Sequence, residues 1–128
     1  MRIFKTKGLA RFARRERISD RILREAMERA ERGLIDADLG GGLIKQRVAR
    51  KGQGRSGGYR MIVAYRVEKR AVLLYAFAKN ERENITRDEL EDLRQLGSNW
   101  LNASSQQIAR AIGDGALQEI EHGDEKDN

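Results

Sequence analysis

The stretch "LIKQRVARKGQGRSGGYRMIVAYRVEKRAVLLYAFAK", residues 43–79, decides the fold. Three runs in it are rich in β-branched and aromatic residues, which predicts strands at 43–50, 59–67 and 71–79, after a turn at 38–42. The last two runs are joined by "EKR", which is short enough for a hairpin, so antiparallel pairing is expected. The glycine-rich "KGQGRSGG" does not match G-x-x-x-x-G-K-S/T and no helix opens after it. It therefore predicts a connection between strands and not a nucleotide-binding loop.

The segments before these strands predict one short strand and two helices. Residues 2–6 are strand-like, and apolar residues at helical spacing follow over 8–18 and 19–33. Ser19 or Asp20 can cap the second helix. We expect both helices to bury their apolar stripes against the sheet.

The segment after the strands predicts one well-marked helix and one weaker helix. Thr86 followed by Glu89 is a capping box, in which each side chain bonds a backbone N–H at the other position. The leucines behind it continue the helix over 84–96, and "GSN" at 97–99 is expected to end it. Isoleucines at helical spacing predict the weaker helix over 104–112.

These elements predict an α+β fold. We expect a small antiparallel sheet with the N-terminal helices packed on one face, followed by a C-terminal helix or helices. The helices are expected to cover one sheet face and to leave the other partly open. Residues 1–97 are expected to form the domain, and residues 98–128 a helical extension that ends in a disordered acidic tail.

Composition narrows the classes of function. The chain has 128 residues and a net charge of +6, but residues 1–87 hold 23 Lys and Arg against 10 Asp and Glu, whereas residues 88–128 hold 3 against 10. A body this basic suggests a polyanionic partner, with RNA or DNA first. The sequence has no cysteine, no apolar run long enough to span a membrane and no secretory signal pattern, so we expect a cytoplasmic protein.

Strand alternation is expected to collect basic residues on one face of the sheet, because residues two apart in a strand point the same way. The cations are Lys45, Arg47, Arg60 and Lys79, with the aromatic residues Tyr75 and Phe77 beside them. Together they predict an open, positively charged surface with rings that could stack on bases. Solvated strand residues, and core packing for the two rings, are the alternatives.

The chemistry left to such a surface is limited. The one histidine, His122, lies in the tail, and no set of side chains has the spacing of metal ligands, so neither a metal nor a cofactor is expected. Lysine and arginine can act on RNA, which supplies its own nucleophile in the 2′-OH. The protein need only orient that hydroxyl, take its proton, neutralise the phosphorane and protonate the leaving oxygen. A lysine among clustered cations is a conceivable general base.

Two segments, "LIKQRVARKGQGRSGGYRMIVAY" and "LLYAFAKNERENIT", resemble the RelE/ParE/HigB superfamily of bacterial toxins, particularly its HigB-like branch. The resemblance covers residues 2–96 and is carried by "SGGYR", by the strand ending in "FAKNERENIT" and by the helix capped at Thr86. It implies a RelE-like fold and a type II toxin that cleaves mRNA on translating ribosomes without a metal. It also implies a cognate antitoxin as partner, contacts to mRNA and rRNA, and no membrane.

The resemblance also implies roles for single residues. Lys45 and Arg47 look like the basic pair on the central strand, and Arg60 looks like the arginine that holds the scissile phosphate. Lys79 looks like the basic residue at the end of the last strand, where the family places a general acid or a phosphate ligand. The residues that look like contacts to the RNA backbone are Lys51 and Arg55.

The chain departs from the family pattern after the last strand. Asn80 follows Lys79, and no tyrosine lies beyond Tyr75, so the resemblance does not identify the general acid. Two alternatives stay open. A ParE-like inhibitor of DNA gyrase would bind its target without catalysis, and a non-catalytic RNA-binding or regulatory protein would follow from basic character alone.

Overall fold

Six strands form one sheet in the part of the chain that the structure describes. This computed structural model describes residues 1–50 and 54–121, with the backbone alone at 54–57. The elements in chain order are β1 (Arg2–Thr6), α1 (Lys7–Glu16), α2 (Asp20–Glu31), β2 (Ala37–Gly40), β3 (Leu43–Arg50), β4 (Gly54–Arg66), β5 (Arg70–Ala78), α3 (Arg87–Leu101), α4 (Ser105–Asp114) and β6 (Leu117–Ile120). The strand order is β2-β3-β4-β5-β1-β6, with β1 and β5 parallel and the other neighbours antiparallel. The predicted α+β fold is confirmed.

The first and last strands of this order were not predicted from the sequence. β2 overlaps the segment predicted as a turn, and its first residue, Ala37, pairs with Lys45. β6 pairs antiparallel with β1, and Ile120 lies opposite Ile3. Residues beyond 97 therefore contribute a strand to the sheet, and the acidic tail at 122–128 lies outside the described residues.

Helices pack on both faces of the sheet. On the first face, α1 and α2 bury Leu9 and Met27 against Met61 and Val63 of β4. On the second face, α3 and α4 enclose a separate apolar cluster, which includes Phe4, Ile62, Ala64, Val72, Leu74, Leu101 and Ile108. The expectation of a partly open second face holds only at its β3 end, where Lys45 is half-buried and Arg47 is exposed.

Helix α3 runs through the "GSN" segment at which the sequence predicted its end. Gly97 is buried there, and a Cβ on it would lie 3.0 Å from Leu43 Cδ2 and 3.1 Å from Ala64 Cβ. These distances are shorter than the optimal separation of carbon atoms, about 3.5–4.0 Å. Gly97 therefore lets α3 lie close against the sheet, and it does not end the helix. The capping box of Thr86 and Glu89 is confirmed.

A bulge in β5 turns two consecutive side chains toward the second face. Ile62 pairs with Tyr75 and Val63 pairs with Leu73, so Leu74 has no residue opposite it. Such an extra residue shifts the alternation of one strand relative to its neighbour. As a result Tyr75 and Phe77 lie on the same face as Arg60.

Candidate functional site

The register of β3, β4 and β5 brings basic and aromatic residues together on the second face. Arg47 pairs with Arg60, which in turn pairs with Phe77. One step along, Lys45 pairs with Ile62, which pairs with Tyr75. Directly paired strand residues have Cβ atoms about 4.5–5.5 Å apart. Arg47 and Arg60, called the arginine pair below, therefore start from adjacent points of the sheet.

One carboxylate lies against both members of the arginine pair. Arg47 Nε donates to Asp36 Oδ1 at 2.8 Å, and Arg60 Nε lies 3.7 Å from Asp36 Oδ2. The sequence placed Arg60 on an open surface, but the residue is only 5% exposed. Its Nη1 also donates to the carbonyl of Tyr59 at 3.3 Å. The arginine pair is thus a partly buried dication with the carboxylate of Asp36 beside it.

The buried side chain of Gln46 holds the backbone of Asp36 in place, just before β2. The Asp36 backbone N–H donates to Gln46 Oε1 at 3.2 Å. Gln46 is buried, and its amide nitrogen donates to the carbonyls of Ala26 and Leu34 at 2.8 and 3.0 Å. A cavity of about 390 Å³ opens beside these residues, and its lining also includes Arg29, Ile35 and Arg47. Asp36 is therefore tied through Gln46 to helix α2.

The two lysines occupy different positions around the arginine pair. Lys45 is half-buried on β3 and forms no ion pair with any residue of the described chain. Lys79 lies just beyond the end of β5, where its backbone N–H donates to the carbonyl of Gly58 at 3.0 Å. Its ammonium group is 3.8 Å from Glu83. Exposed pairs at this separation contribute little, so Lys79 can exchange Glu83 for another anion.

The two aromatic residues, Tyr75 and Phe77, pack next to the arginine pair on β5. Phe77 is 4% exposed, and its ring centroid lies 6.2 Å from that of Tyr75. Arg82 lies 5.7 Å over the Phe77 ring and donates to the Tyr75 hydroxyl at 3.2 Å. Arg82 also donates hydrogen bonds to both carboxylate oxygens of Glu89. Phe77 is buried and Tyr75 is hydrogen-bonded to Arg82, so core packing, the alternative that the sequence analysis left open for the two rings, describes Phe77 well.

Two predicted RNA contacts fall where side chains are not described. Lys51 lies outside the described residues, and Arg55 is described by its backbone alone, in β4. Nearby, Gly58 of the "SGGYR" motif approaches β3 closely, since a Cβ on it would lie 2.3 Å from the Val48 carbonyl oxygen. No side chain fits at that distance, which explains why the motif has glycine immediately before Tyr59.

A comparison with protein families decides the assignment. The family model described as the RelE toxin of the RelE/RelB toxin-antitoxin system matches residues 1–120. The chain belongs to the RelE toxin family. It is accordingly a toxin of a type II toxin-antitoxin system, and the family implies an antitoxin as partner. The RelE match reaches Ile120, the last residue of β6.

Two site residues of this RelE-family chain were missed in the sequence. Asp36 was not predicted as a site residue, because nothing in a single sequence shows which strand a loop carboxylate approaches. Arg82 lies in the quoted "NERENIT" segment, and its spacing of seven residues from Glu89 could have suggested a pair across the start of α3.

Within residues 1–50 and 54–121, no helix is long and apolar enough to cross a bilayer.

Proposed function

We propose that this RelE-family toxin is a metal-independent endoribonuclease of the HigB-like branch, acting on mRNA in translating ribosomes. The observation that carries the proposal is the arginine pair, two guanidinium groups that start from directly paired strand residues on one side of the sheet. Arginine's planar fork of donors matches the oxygens of a phosphate better than a lysine does. Lys45, on the same face as Arg47, and Lys79, just beyond the end of β5, supply two further cations.

The reaction uses the 2′-OH of the substrate as nucleophile. Its oxygen attacks the adjacent phosphorus, the bond from phosphorus to O2′ forms, and the bond from phosphorus to the 5′ oxygen breaks. The 2′-OH proton leaves to a base and the 5′ oxygen receives a proton, which gives a 2′,3′-cyclic phosphate and a 5′-hydroxyl end. The arginine pair stabilises the charge that gathers on the non-bridging oxygens, the usual largest contribution to such a reaction.

The two lysines are the candidates for the proton transfers. Lys45 lies one step along β3 from Arg47, on the same face, and is the candidate for the group beside the 2′-OH. Lys79 lies just beyond the end of β5 and is the candidate for the group beside the leaving oxygen. Proton donors and acceptors on opposite sides of the phosphorus suit an in-line displacement.

The ribosome is expected to present the mRNA to the arginine pair. Arg60 is buried, so the mRNA backbone has to bend before one of its phosphates can reach this residue. A ribosomal site that holds single-stranded mRNA can impose such a bend. The exposed arginines of α1 and its end, among them Arg11, Arg14 and Arg17, offer charge to rRNA phosphates, as do Lys51 and Arg55. A cytoplasmic location follows from this substrate.

Cleavage of a defined mRNA by the purified chain, with and without programmed ribosomes, tests the proposal. We expect ribosome-dependent cleavage, and we expect Arg60→Lys to lower its rate by about 10²–10³-fold, because the forked donors are lost while the charge stays. Arg110→Lys is the matched control, since Arg110 is exposed on α4, and it should cleave at the wild-type rate.

Three other results would decide against the proposal. Wild-type chain that leaves mRNA intact on ribosomes removes the endonuclease altogether. Inhibition of DNA gyrase supercoiling without mRNA cleavage would establish the ParE-like alternative. Salt-dependent RNA binding that Arg60→Lys weakens, with no cleavage by either chain, would establish a non-catalytic RNA-binding protein.

A further inference from the structure

We infer that Asp36 is a positioning residue for the proposed cleavage, and that it holds the arginine pair in the arrangement that grips one phosphate. This inference rests on the proposed function. The two oxygens of one carboxylate lie 2.8 Å from Arg47 Nε and 3.7 Å from Arg60 Nε. Two guanidinium groups without an anion between them repel each other. A carboxylate that faces the Nε atom of both arginines holds the two groups close together.

The contact leaves the phosphate-binding edge of Arg47 available. Asp36 takes the Nε–H, and the Arg47 side chain remains 49% exposed. Its two terminal nitrogens can therefore chelate the oxygens of a phosphate while Nε stays bonded to Asp36. A carboxylate that occupied the terminal nitrogens would instead compete with the substrate.

The surroundings of Asp36 favour a permanent holder over a displaceable competitor. Its side chain is 12% exposed. Its backbone is bonded to Gln46, which α2 holds through the carbonyl of Ala26. The backbone of Asp36 is therefore fixed, and the carboxylate could leave the arginine pair only by rotation of its short side chain. A substrate phosphate is thus expected to bind with Asp36 still in place.

This role predicts a separation of kcat from KM. Replacing Asp36 with asparagine removes a negative charge beside the phosphate site, so mRNA should bind as tightly as before or more tightly. The arginine pair would lose its alignment, and a misplacement of about 1 Å around a reacting centre can lower the rate by about 10²-fold. We therefore expect Asp36→Asn to lower kcat by up to about 10²-fold without raising KM.

Asp38→Asn is the matched control for the experiment. It makes the same change of charge two residues further along the chain, but Asp38 is exposed and its carboxylate accepts from the N–H of Gly40 at 2.9 Å, which asparagine can also do. Both variants are assayed with programmed ribosomes for kcat and KM, and the arginine Nε–H signals are recorded by ¹⁵N NMR. In Asp36→Asn the Arg47 Nε–H signal should move, and in Asp38→Asn it should stay.

Each outcome decides the inference. Faster cleavage by Asp36→Asn would make Asp36 a competitor, and equal kcat values in the two asparagine variants would remove its positioning role while leaving the endonuclease standing. Wild-type chain without any cleavage would instead reject the proposed function, and the NMR signals would still show whether Asp36 orders Arg47. If Asp36→Asn does not fold, Asp36→Glu keeps the charge but moves the carboxylate by one methylene, and unchanged kcat there would overturn the inference.

Discussion

At the scale of single residues, Glu89 connects the start of α3 to the aromatic pair beside the site. Its carboxylate accepts from Arg82 at 2.6 and 3.1 Å and from the Thr86 backbone N–H at 2.7 Å. These hydrogen bonds, that of Arg82 first, lower the pKa of Glu89 from 4.5 to about 2. Because Arg82 also bonds Tyr75, one carboxylate fixes the cation that covers the rings.

The low pKa of Glu89 predicts a dependence of stability on pH. A carboxyl whose pKa is lower in the folded state stabilises the fold above its unfolded pKa and loses that contribution as the pH falls through the folded value. Glu89→Gln keeps an acceptor for the Thr86 N–H but removes the charge that Arg82 binds. We expect it to be less stable than wild type at pH 7, with a difference that shrinks between pH 4.5 and about 2.

Denaturant unfolding at a series of pH values measures this difference. Glu25→Gln is the control, since Glu25 forms only a 4.0 Å pair with Arg21 on the exposed side of α2, and its difference from wild type should be small at every pH. A difference between wild type and Glu89→Gln that stays constant down to pH 2 would contradict the assignment of the low pKa to Glu89.

At this scale, sequence reasoning predicted which strand side chains lie on the face of Arg60 but not the environment of each side chain. Alternation correctly indicated which strand residues share a face with Arg60. It could not show that Arg60 is buried, because that depends on what covers the face. Nor could it show that Asp36 lies against both arginines. Asp36 precedes β2, and its contact with side chains of β3 and β4 depends on strand order and not on spacing along the chain.

At the scale of elements, two helical glycines differ in what surrounds them. Gly97 in α3 faces the sheet, whereas nothing lies within 4 Å of a Cβ placed on Gly113 in α4. Alanine in a helix is favoured over glycine by about 1 kcal/mol. Crowding a packed interface costs about 1–3 kcal/mol. The two effects oppose each other at Gly97, and only the first acts at Gly113.

Alanine substitution is therefore expected to change stability in opposite directions at the two sites. Gly113→Ala should stabilise the chain by up to about 1 kcal/mol, because the helix gains a better helix former. Gly97→Ala should destabilise it by about 1 kcal/mol, because the Ala64 Cβ cannot move aside as a flexible side-chain end can. Urea unfolding of both variants checks the sign, and stabilisation by Gly97→Ala would show that α3 can shift from the sheet.

The lengths of the elements explain which of them the sequence predicted. The long strands β3, β4 and β5 carry enough β-branched and aromatic residues to be recognised, and the capped start of α3 has a specific signature. β2 and β6 have four residues each, too few for a visible alternation. The end of α3 was predicted too early because glycine usually indicates a break, and the close packing that retains Gly97 is visible only in three dimensions.

At the scale of the whole molecule, β6 joins the end of the described chain to its beginning. β6 covers the edge of β1, and Leu117 and Ile120 are both buried. Arg24 of α2 donates to the carbonyl of Glu121 at 2.7 Å, so the segment is also tied to the first helical layer. β6 thereby replaces β1 as the outer strand, and a very short outer strand is one way in which proteins limit association through a sheet edge.

Two truncations test whether residues beyond 97 are an extension, as predicted from the sequence, or part of one cooperative unit. A chain that ends after Glu121 keeps β6 and should unfold with wild-type stability. A chain that ends after Ala116 loses Leu117 and Ile120, and burying two such side chains stabilises a protein by roughly 3–6 kcal/mol. We expect it to unfold at much lower denaturant concentration and to associate through the exposed edge of β1, as measured by urea unfolding and sedimentation. Equal stability of the two chains would support the extension and would contradict a structural role for β6.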